Sequence, residues 1–488
     1  MNQNNIVIIG AGMAGLTAAA YLARAGLKVQ VFEQHTLPGG YISSFVREGF
    51  TFPAGPTSFS SNGIIFPILQ ELGLAGKQHF VRAAHQISWS EHDIPLRDPQ
   101  QVQHDLAKCF PAEQRGLEHY FRWVKIGGDA FRDLLESGLM FGRDVFKTTL
   151  RLFLRHPLYP WVTWVARGQT NRSLHRHYFK DASLRQLLDQ LGYPVMSAQN
   201  TLGMWISYFR DTWVPQGGMQ AFANTFVHYI REHGGEAHLG KKVKRIWVKE
   251  GQALGVELED RTQIPARWVI SAADLRHTCF ELIGREHLPS AMVAKLERAR
   301  PSEPVFTVYL GLRDSPELAN ALERFRESHV CFTCADGEYI QLALLSKDDP
   351  SLAPTGKHAL FIGVFTSYED WAPLKGDKSA YRSRKAAVAD ELIARAEEFL
   401  PGLRAHIEVQ EAASPLTFER YTSNWRGSTA GWSWDPAYTF HFNIKDLPLK
   451  NFYAIGHYIF NPGGVPSAMI TAWYIAREIL KQSVSRIR

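Results

Sequence analysis

Ile6-Val7-Ile8-Ile9-Gly10-Ala11-Gly12-Met13-Ala14-Gly15 is the stretch that decides the fold. Its first four residues form a β-branched apolar run and read as a buried strand. Ala14 to Arg24 is alanine-rich and helical, and Gly26 stops it. Leu27 to Phe32 alternates as a second strand, which completes a βαβ unit. The pattern Gly10-x-Gly12-x-x-Gly15 falls on the strand-to-helix turn, and each glycine has a task there. Gly10 permits the tight turn, Gly12 lets the backbone approach a pyrophosphate, and Gly15 lets helix and strand pack closely. Glu33 closes the second strand, where its carboxylate can accept hydrogen bonds from ribose hydroxyls. A helix N-terminus stripped of side chains is a phosphate site, so the unit predicts dinucleotide binding.

The chain has 488 residues, room for about three domain-sized units or fewer larger ones. It can bury a large core without disulfides or metals. Apolar residues make up 45% and charged residues 21%, an ordinary globular balance that argues against long disordered stretches. Four cysteines, Cys109, Cys279, Cys331 and Cys334, exclude a disulfide scaffold and fit a reducing compartment. Ile6 to Ala23 is uncharged and long enough to span a membrane, but three glycines interrupt it and no Lys or Arg precedes it. The expectation is a soluble or peripheral protein.

Further along, residues 100–210 read as largely helical, broken by Pro157 and Pro160. From residue 213 a Pro215-Gln216-Gly217-Gly218 turn leads into a helix, Met219 to His233. Strands are expected at Val243 to Val248, Ala253 to Leu258 and Trp268 to Ser271. More follow at Val305 to Leu310, Ile340 to Leu345 and Ala359 to Phe365, with one helix among them. A long helix, Ser379 to Leu400, stops before Pro401-Gly402. The end repeats the opening theme, with strand Phe452 to Ile455, loop Gly456 to Gly464 and helix Pro466 to Lys481.

Three glycine clusters extend the fingerprint. Pro38-Gly39-Gly40 follows Glu33 closely. Gly49-Phe50-Thr51-Phe52-Pro53-Ala54-Gly55-Pro56-Thr57 comes next. Gly456 and Asn461-Pro462-Gly463-Gly464-Val465-Pro466 then place a second helix N-terminus at a loop. Each alone reads as a turn. Together they resemble the phytoene desaturase-like family of FAD-dependent oxidoreductases, which includes carotenoid desaturases, carotenoid isomerases and retinol saturase. The likeness spans essentially the whole chain and is strongest in residues 5–60, 214–274 and 451–478. Ser414 to Tyr421 with Asn424-Trp425-Arg426-Gly427 looks more like the isomerase and saturase branch.

The resemblance implies an α/β chain in which a Rossmann-type FAD domain carries an inserted mixed α+β substrate domain. It implies FAD held by Gly10, Gly12, Ala14, Gly15, Glu33, Gly39, Gly40, Thr57, Val243, Gly456, Gly463, Gly464 and Val465. His457 and Tyr458 follow Gly456 directly and are the candidates for the flavin cavity, with His457 as a possible base. The sequence departs from the family at Tyr41, where Arg is frequent, and at Pro53, where Asp is frequent. Both departures leave the exact reaction open.

The remaining motifs are weaker. No second nucleotide fingerprint occurs, so electrons are expected to pass to or from an external carrier: a quinone, oxygen or a redox protein. Between Arg143 and Lys180 eight basic residues face one acid, Asp144, while the net charge of the whole chain is +6. Phe146, Leu150, Phe153, Leu154, Leu158, Tyr159, Trp161 and Trp164 interleave with them. Such a stretch suits either a membrane surface or a solvated helical face over a core. No nucleic-acid-binding module appears. Cys331-x-x-Cys334 lacks a second pair and reads as structural, and His175 and His177 lack a third spaced ligand, so no metal is expected. Trp205, Tyr208, Phe209 and Trp213, like Trp425, Trp432 and Trp434, suit an apolar tunnel or core packing equally.

The expected FAD domain comprises 1–95, 212–285 and 440–488, and the expected substrate domain 96–211 (helical) and 286–439 (sheet). The favoured reaction is desaturation of a long apolar polyene or isoprenoid drawn from the inner face of a membrane in the cytoplasm. Isomerisation or saturation of a polyene, or oxidation of a different substrate such as an amine or polyketide, are the alternatives. A lipid-binding escort of this fold, needing no flavin chemistry, fits the intact fingerprint poorly.

Overall fold

The computed structural model describes residues 5–137, 145–192, 195–438, 442, 447–460 and 463–484. Arg143 and Asp144 of the basic stretch, and Asn461 and Pro462 of the last glycine loop, lie outside the described residues.

Strand β1 (Asn5–Ile9) is buried at every position, as its β-branched run requires. Helix α1 (Met13–Arg24) buries all but its last residue, because alanines let it lie close to neighbours on several sides. Strand β2 (Lys28–Phe32) pairs with β1 in parallel, and β1 also pairs in parallel with β3 (Trp268–Ser271). With β4 (Phe452–Ala454) and the strand Glu236–His238 they make a five-stranded parallel sheet in the order β4-β3-β1-β2-(Glu236–His238). Helices Met219–Glu232 and Val465–Val484 pack with α1 on this layer. A three-stranded antiparallel sheet, Val243–Lys249, Gln252–Leu258 and Gln263–Pro265, adjoins it.

The second large layer is a seven-stranded sheet. Its order is Ile407–Ala413, Val305–Arg313, Lys357–Phe365, Tyr339–Leu344, His329–Thr333, His85–Trp89, His92–Pro95. The pairing is antiparallel except where His85–Trp89 runs parallel to His329–Thr333. Helix Lys378–Phe399 covers one face. Strands 85–95, assigned by sequence to the first FAD segment, thus hydrogen-bond into this sheet. Cys331 and Cys334 point into different hydrophobic clusters on opposite sides of the sheet, and all four cysteines are free.

The described residues between 99 and 210 fold largely into helices around a core centred on Tyr120, Trp123 and Trp205. Three of them matter below: α2 (Gln114–Glu136), α3 (Val145–Arg155) and α4 (Tyr159–Ala166). α3 ends before Pro157, and Pro160 takes the first turn of α4, where its missing N–H costs nothing. Among the described residues no helix is long and apolar enough to cross a membrane.

Candidate active site

A parallel sheet leaves a crevice beyond the C-terminal ends of its strands, and this is where the glycine clusters meet. They line a cavity of about 1270 Å³ that runs from the end of β1, past the ends of β2 and β3, to the seven-stranded sheet and the helices beyond. Two helix N-termini open on it, those of α1 and of Val465–Val484.

The three fingerprint glycines answer to different causes. Gly10 has φ +95°, in the left-handed region that a tight turn demands. A Cβ on Gly15 would lie 2.0 Å from the Gly10 carbonyl oxygen, so this glycine is required by the protein itself and does not line the cavity. Gly12 differs from both. Its φ of −71° and ψ of 173° suit any residue, and a Cβ there would meet nothing within 4 Å. The protein alone gives no reason for glycine at this position, but a group seated against the first turn of α1 does.

The neighbours complete the cradle. Glu33 is buried at the end of β2 and accepts the Ala11 amide at 2.8 Å and the His35 amide at 3.0 Å. It also lines the cavity, and each carboxylate oxygen can accept a further hydrogen bond. Gly39 donates its N–H to the Ala11 carbonyl at 2.8 Å, which brings the second glycine pair against the first. A Cβ on Gly40 would sit 3.3 Å from Gly12 Cα. Ala14, Thr57, Val243, Gly456, Gly463, Gly464 and Val465 also line the cavity. Gly456 donates its N–H to Thr471 Oγ1 at 2.9 Å. A Cβ on Gly463 would lie 1.9 Å from the Ala430 carbonyl oxygen, so this glycine admits the loop around residue 430 to the site.

His457 lines the cavity, and burial pulls its imidazole down to about 4, so the ring is neutral near pH 7. Tyr458 does not line it. Its ring packs edge-on against Trp432 with centroids 5.0 Å apart and against the His457 ring with centroids 4.6 Å apart. The expectation for Tyr458 is corrected accordingly. Of the aromatic candidates, Tyr208 and Trp434 line the cavity. Trp205 is core, donating Nε1–H to the Tyr120 hydroxyl at 2.8 Å, and Phe209, Trp425 and Trp432 are also packed in cores. Trp213 lines a second, separate hollow.

Several site residues had no sequence signal strong enough to single them out. Tyr41, noted only as a departure, donates its hydroxyl to the Ser428 carbonyl at 2.6 Å and lines the cavity beside His457. Asp274, buried past the end of β3, accepts the amides of His277 at 2.8 Å and Trp425 at 3.0 Å. These bonds hold the 424–431 loop over the site. His85, His329 and Tyr208 line the far end. Among the described residues no group of His, Cys, Asp and Glu is placed to hold a metal ion.

Comparison with known proteins gives this crevice its class. The chain matches the family described as flavin containing amine oxidoreductase over residues 13–480, and it belongs to that family. It is an FAD-dependent oxidoreductase. Among its relatives is the prolycopene isomerase of Daucus carota, 27% identical over 459 residues, covering 87% of this chain and 71% of that one. Another is the 4,4'-diapophytoene desaturase (4,4'-diapolycopene-forming) of Methylomonas sp, 25% identical over 512 aligned positions, covering 98% and 96% of the two chains. An oxidoreductase from Methanosarcina mazei shares the fold, with a TM-score of 0.64 at 17% identity over 97% of this chain and 100% of that one. The cradle fits the cofactor: open space before Gly12, a carboxylate at the end of β2, and two helix N-termini on one cavity.

Proposed function

We propose that this protein dehydrogenates a long apolar polyene or isoprenoid of the carotenoid type. The reading rests chiefly on one observation: the cavity that begins at the glycine cradle continues into a region walled by Phe131, Leu134, Met204, Tyr309 and Phe361. The end-to-end match to a carotenoid desaturase supports the same substrate class. In this reading Gly12, Ala14 and the start of Val465–Val484 hold the pyrophosphate and flavin, and Glu33 the ribose. Bound flavin supplies the hydride acceptor. The chain's own residues bind the polyene, exclude water and take up the proton. Flavin-dependent isomerisation is the second reading, favoured by the likeness to prolycopene isomerase. An external carrier (a quinone, oxygen or a redox protein) would take up the electrons, in keeping with the single fingerprint.

The flavin-binding body then comprises roughly 1–84, 212–285 and 440–488, and the substrate body the rest. The first boundary falls before His85 because the strands from there on pair with the larger sheet.

Substrate arrives from a membrane surface on the cytoplasmic side. On α3, Phe146, Leu150, Phe153 and Leu154 recur at i, i+4, i+7 and i+8, and all are exposed, Phe146 by 77% and Leu154 by 74%. Leu158, Trp161 and Trp164 extend the patch into α4, with Trp164 72% exposed. Lys147, Arg151 and Arg155 run beside it at helical spacing. Apolar bulk flanked by cations suits an anionic interface. Anaerobic incubation of the FAD-loaded protein with liposome-borne carotenoid precursors, followed by chromatography of the pigments, tests the function. New conjugated double bonds support desaturation. An isomer formed only after chemical reduction of the flavin supports the second reading.

A further inference from the structure

Removing two hydrogens from adjacent carbons sends a hydride to the flavin and leaves a proton to be disposed of. A water-poor, apolar cavity needs a route for that proton. His457 offers none, since among the described residues no hydrogen bond leads onward from its ring. His329 is placed differently. It stands on the strand His329–Thr333 directly opposite His85 of the neighbouring parallel strand, and both line the cavity. Its Nε2 lies 3.1 Å from Thr57 Oγ1, on the glycine-rich loop that also lines the cavity. Its Nδ1 lies 3.0 Å from Ser328 Oγ and 3.7 Å from Asp348 Oδ2. Ser328 Oγ also donates to the Ala84 carbonyl at 3.4 Å, and its hydroxyl is near enough to the Asp348 carboxyl to lower that group's proton affinity. Asp348 ends the short helical turn Leu345–Asp348, its Oδ2 is buried without a hydrogen-bond partner among the described residues, and its side chain is 12% exposed.

We propose that Thr57, His329, Ser328 and Asp348 form a proton path from the substrate side of the cavity toward the protein surface. The proposal rests on the dehydrogenation reading above. As the C–H proton passes to Thr57 Oγ1, the Thr57 hydroxyl proton passes to His329 Nε2. The Nδ1 proton passes to Ser328 Oγ, and the Ser328 proton to the Asp348 carboxylate. The electron pair of that C–H bond becomes the new π bond, while the pair of the adjacent C–H bond leaves with the hydride to the flavin. His329 ends neutral with its tautomer exchanged, and Asp348 ends as the acid. The direction is downhill, because burial holds the Asp348 carboxyl up to about 6 and pulls the His329 imidazole down to about 4. Facing Asp348 are Lys347 and Asp349 on its own segment, and Glu327, itself paired with Arg97. Facing His329 is His85, kept neutral by burial and whose Nε2 has no hydrogen-bond partner among the described residues.

The test uses FAD-loaded protein carrying 15N-labelled histidine, with Asp348→Asn and Ser328→Ala as variants. The ring resonances of His329 are expected to shift with an inflection near pH 6 in the unaltered protein and to lose it in Asp348→Asn. Anaerobic flavin reduction by a polyene is expected to slow on the order of 10²-fold in Asp348→Asn. Its rise with pH should be lost while flavin absorbance and half-saturating polyene stay unchanged. Ser328→Ala, which deletes one relay atom without touching a charge, should slow the same step. His329 resonances unmoved between pH 5 and 7, or variants with unaltered rates and pH profiles, overturn the path. An unaltered protein that reduces no flavin with any polyene refutes the substrate reading, and the resonance titration then still decides the path.

Discussion

Gly12 and Gly15 stand three residues apart in one motif, yet their replacement should fail in different ways. At Gly12 the backbone is compatible with any residue and the space ahead of it is open. Gly12→Val should therefore cost the cofactor-free protein about 1 kcal/mol or less, the difference between glycine and valine at a helix N-cap. With FAD the isopropyl group occupies the pyrophosphate position. Losing two charge-assisted amide bonds, at roughly 1.5–3 kcal/mol each, predicts binding weaker by about 10²- to 10⁴-fold. Gly15→Ala inverts the pattern. Its Cβ would start 2.0 Å from the Gly10 carbonyl oxygen, where ordinary contact begins at 3.4 Å, so α1 must move off β1 by more than an ångström. Overpacking of this kind costs about 1–3 kcal/mol in the cofactor-free protein. Urea unfolding of the stripped proteins and titration with FAD, followed by flavin fluorescence, separate the two. Stoichiometric FAD in Gly12→Val, or equal destabilisation of both stripped variants, would refute the assignment of Gly12 to the cofactor.

Three further outcomes are expected. Replacing Arg151 and Arg155 by Gln should weaken binding to anionic liposomes by about 2 kcal/mol at low salt, roughly 30-fold, and less at high salt; co-sedimentation unchanged by the substitutions would assign α3 to a solvated face. Burial pushes the Cys331 and Cys334 thiols up to about 12, so a thiol reagent at pH 8 should label them only on unfolding; fast labelling of either in the native protein would contradict their placement. His329 and His457 are held neutral down to about 4, whereas in the unfolded chain they protonate near 6.5. The unfolded state thus binds more protons below pH 6.5, and stability should fall between pH 6.5 and 4, only partly opposed by Asp348, whose raised carboxyl acts in the reverse sense. A melting temperature of the cofactor-free protein that rises over this interval would contradict it.

The sequence revealed what local chemistry determines. The opening βαβ unit is legible because a β-branched run, an alanine-rich helix and three glycines each leave a mark within a few residues. The C-terminal repeat of that theme is legible for the same reason. His329 and Asp348 left no such mark. Their juxtaposition depends on a five-residue strand found beside residues 85–89, more than two hundred positions away, and on Thr57 reaching across from the other layer. Tyr458 shows the limit of proximity in sequence: its ring touches that of His457, yet it packs against Trp432 and does not line the cavity. The tunnel aromatics illustrate the same ambiguity. Composition made Trp205 and Tyr208 equivalent, and only the turn of one helix put Tyr208 on the cavity and Trp205 in the core.

The most direct test of the central claim is a visible spectrum of the FAD-loaded protein, taken without oxygen after adding liposomes that carry carotenoid precursors. The flavin band should bleach as the polyene band moves to longer wavelength, one reduced flavin for each double bond formed. A flavin band that stays oxidised while every polyene in the panel remains unchanged contradicts polyene dehydrogenation.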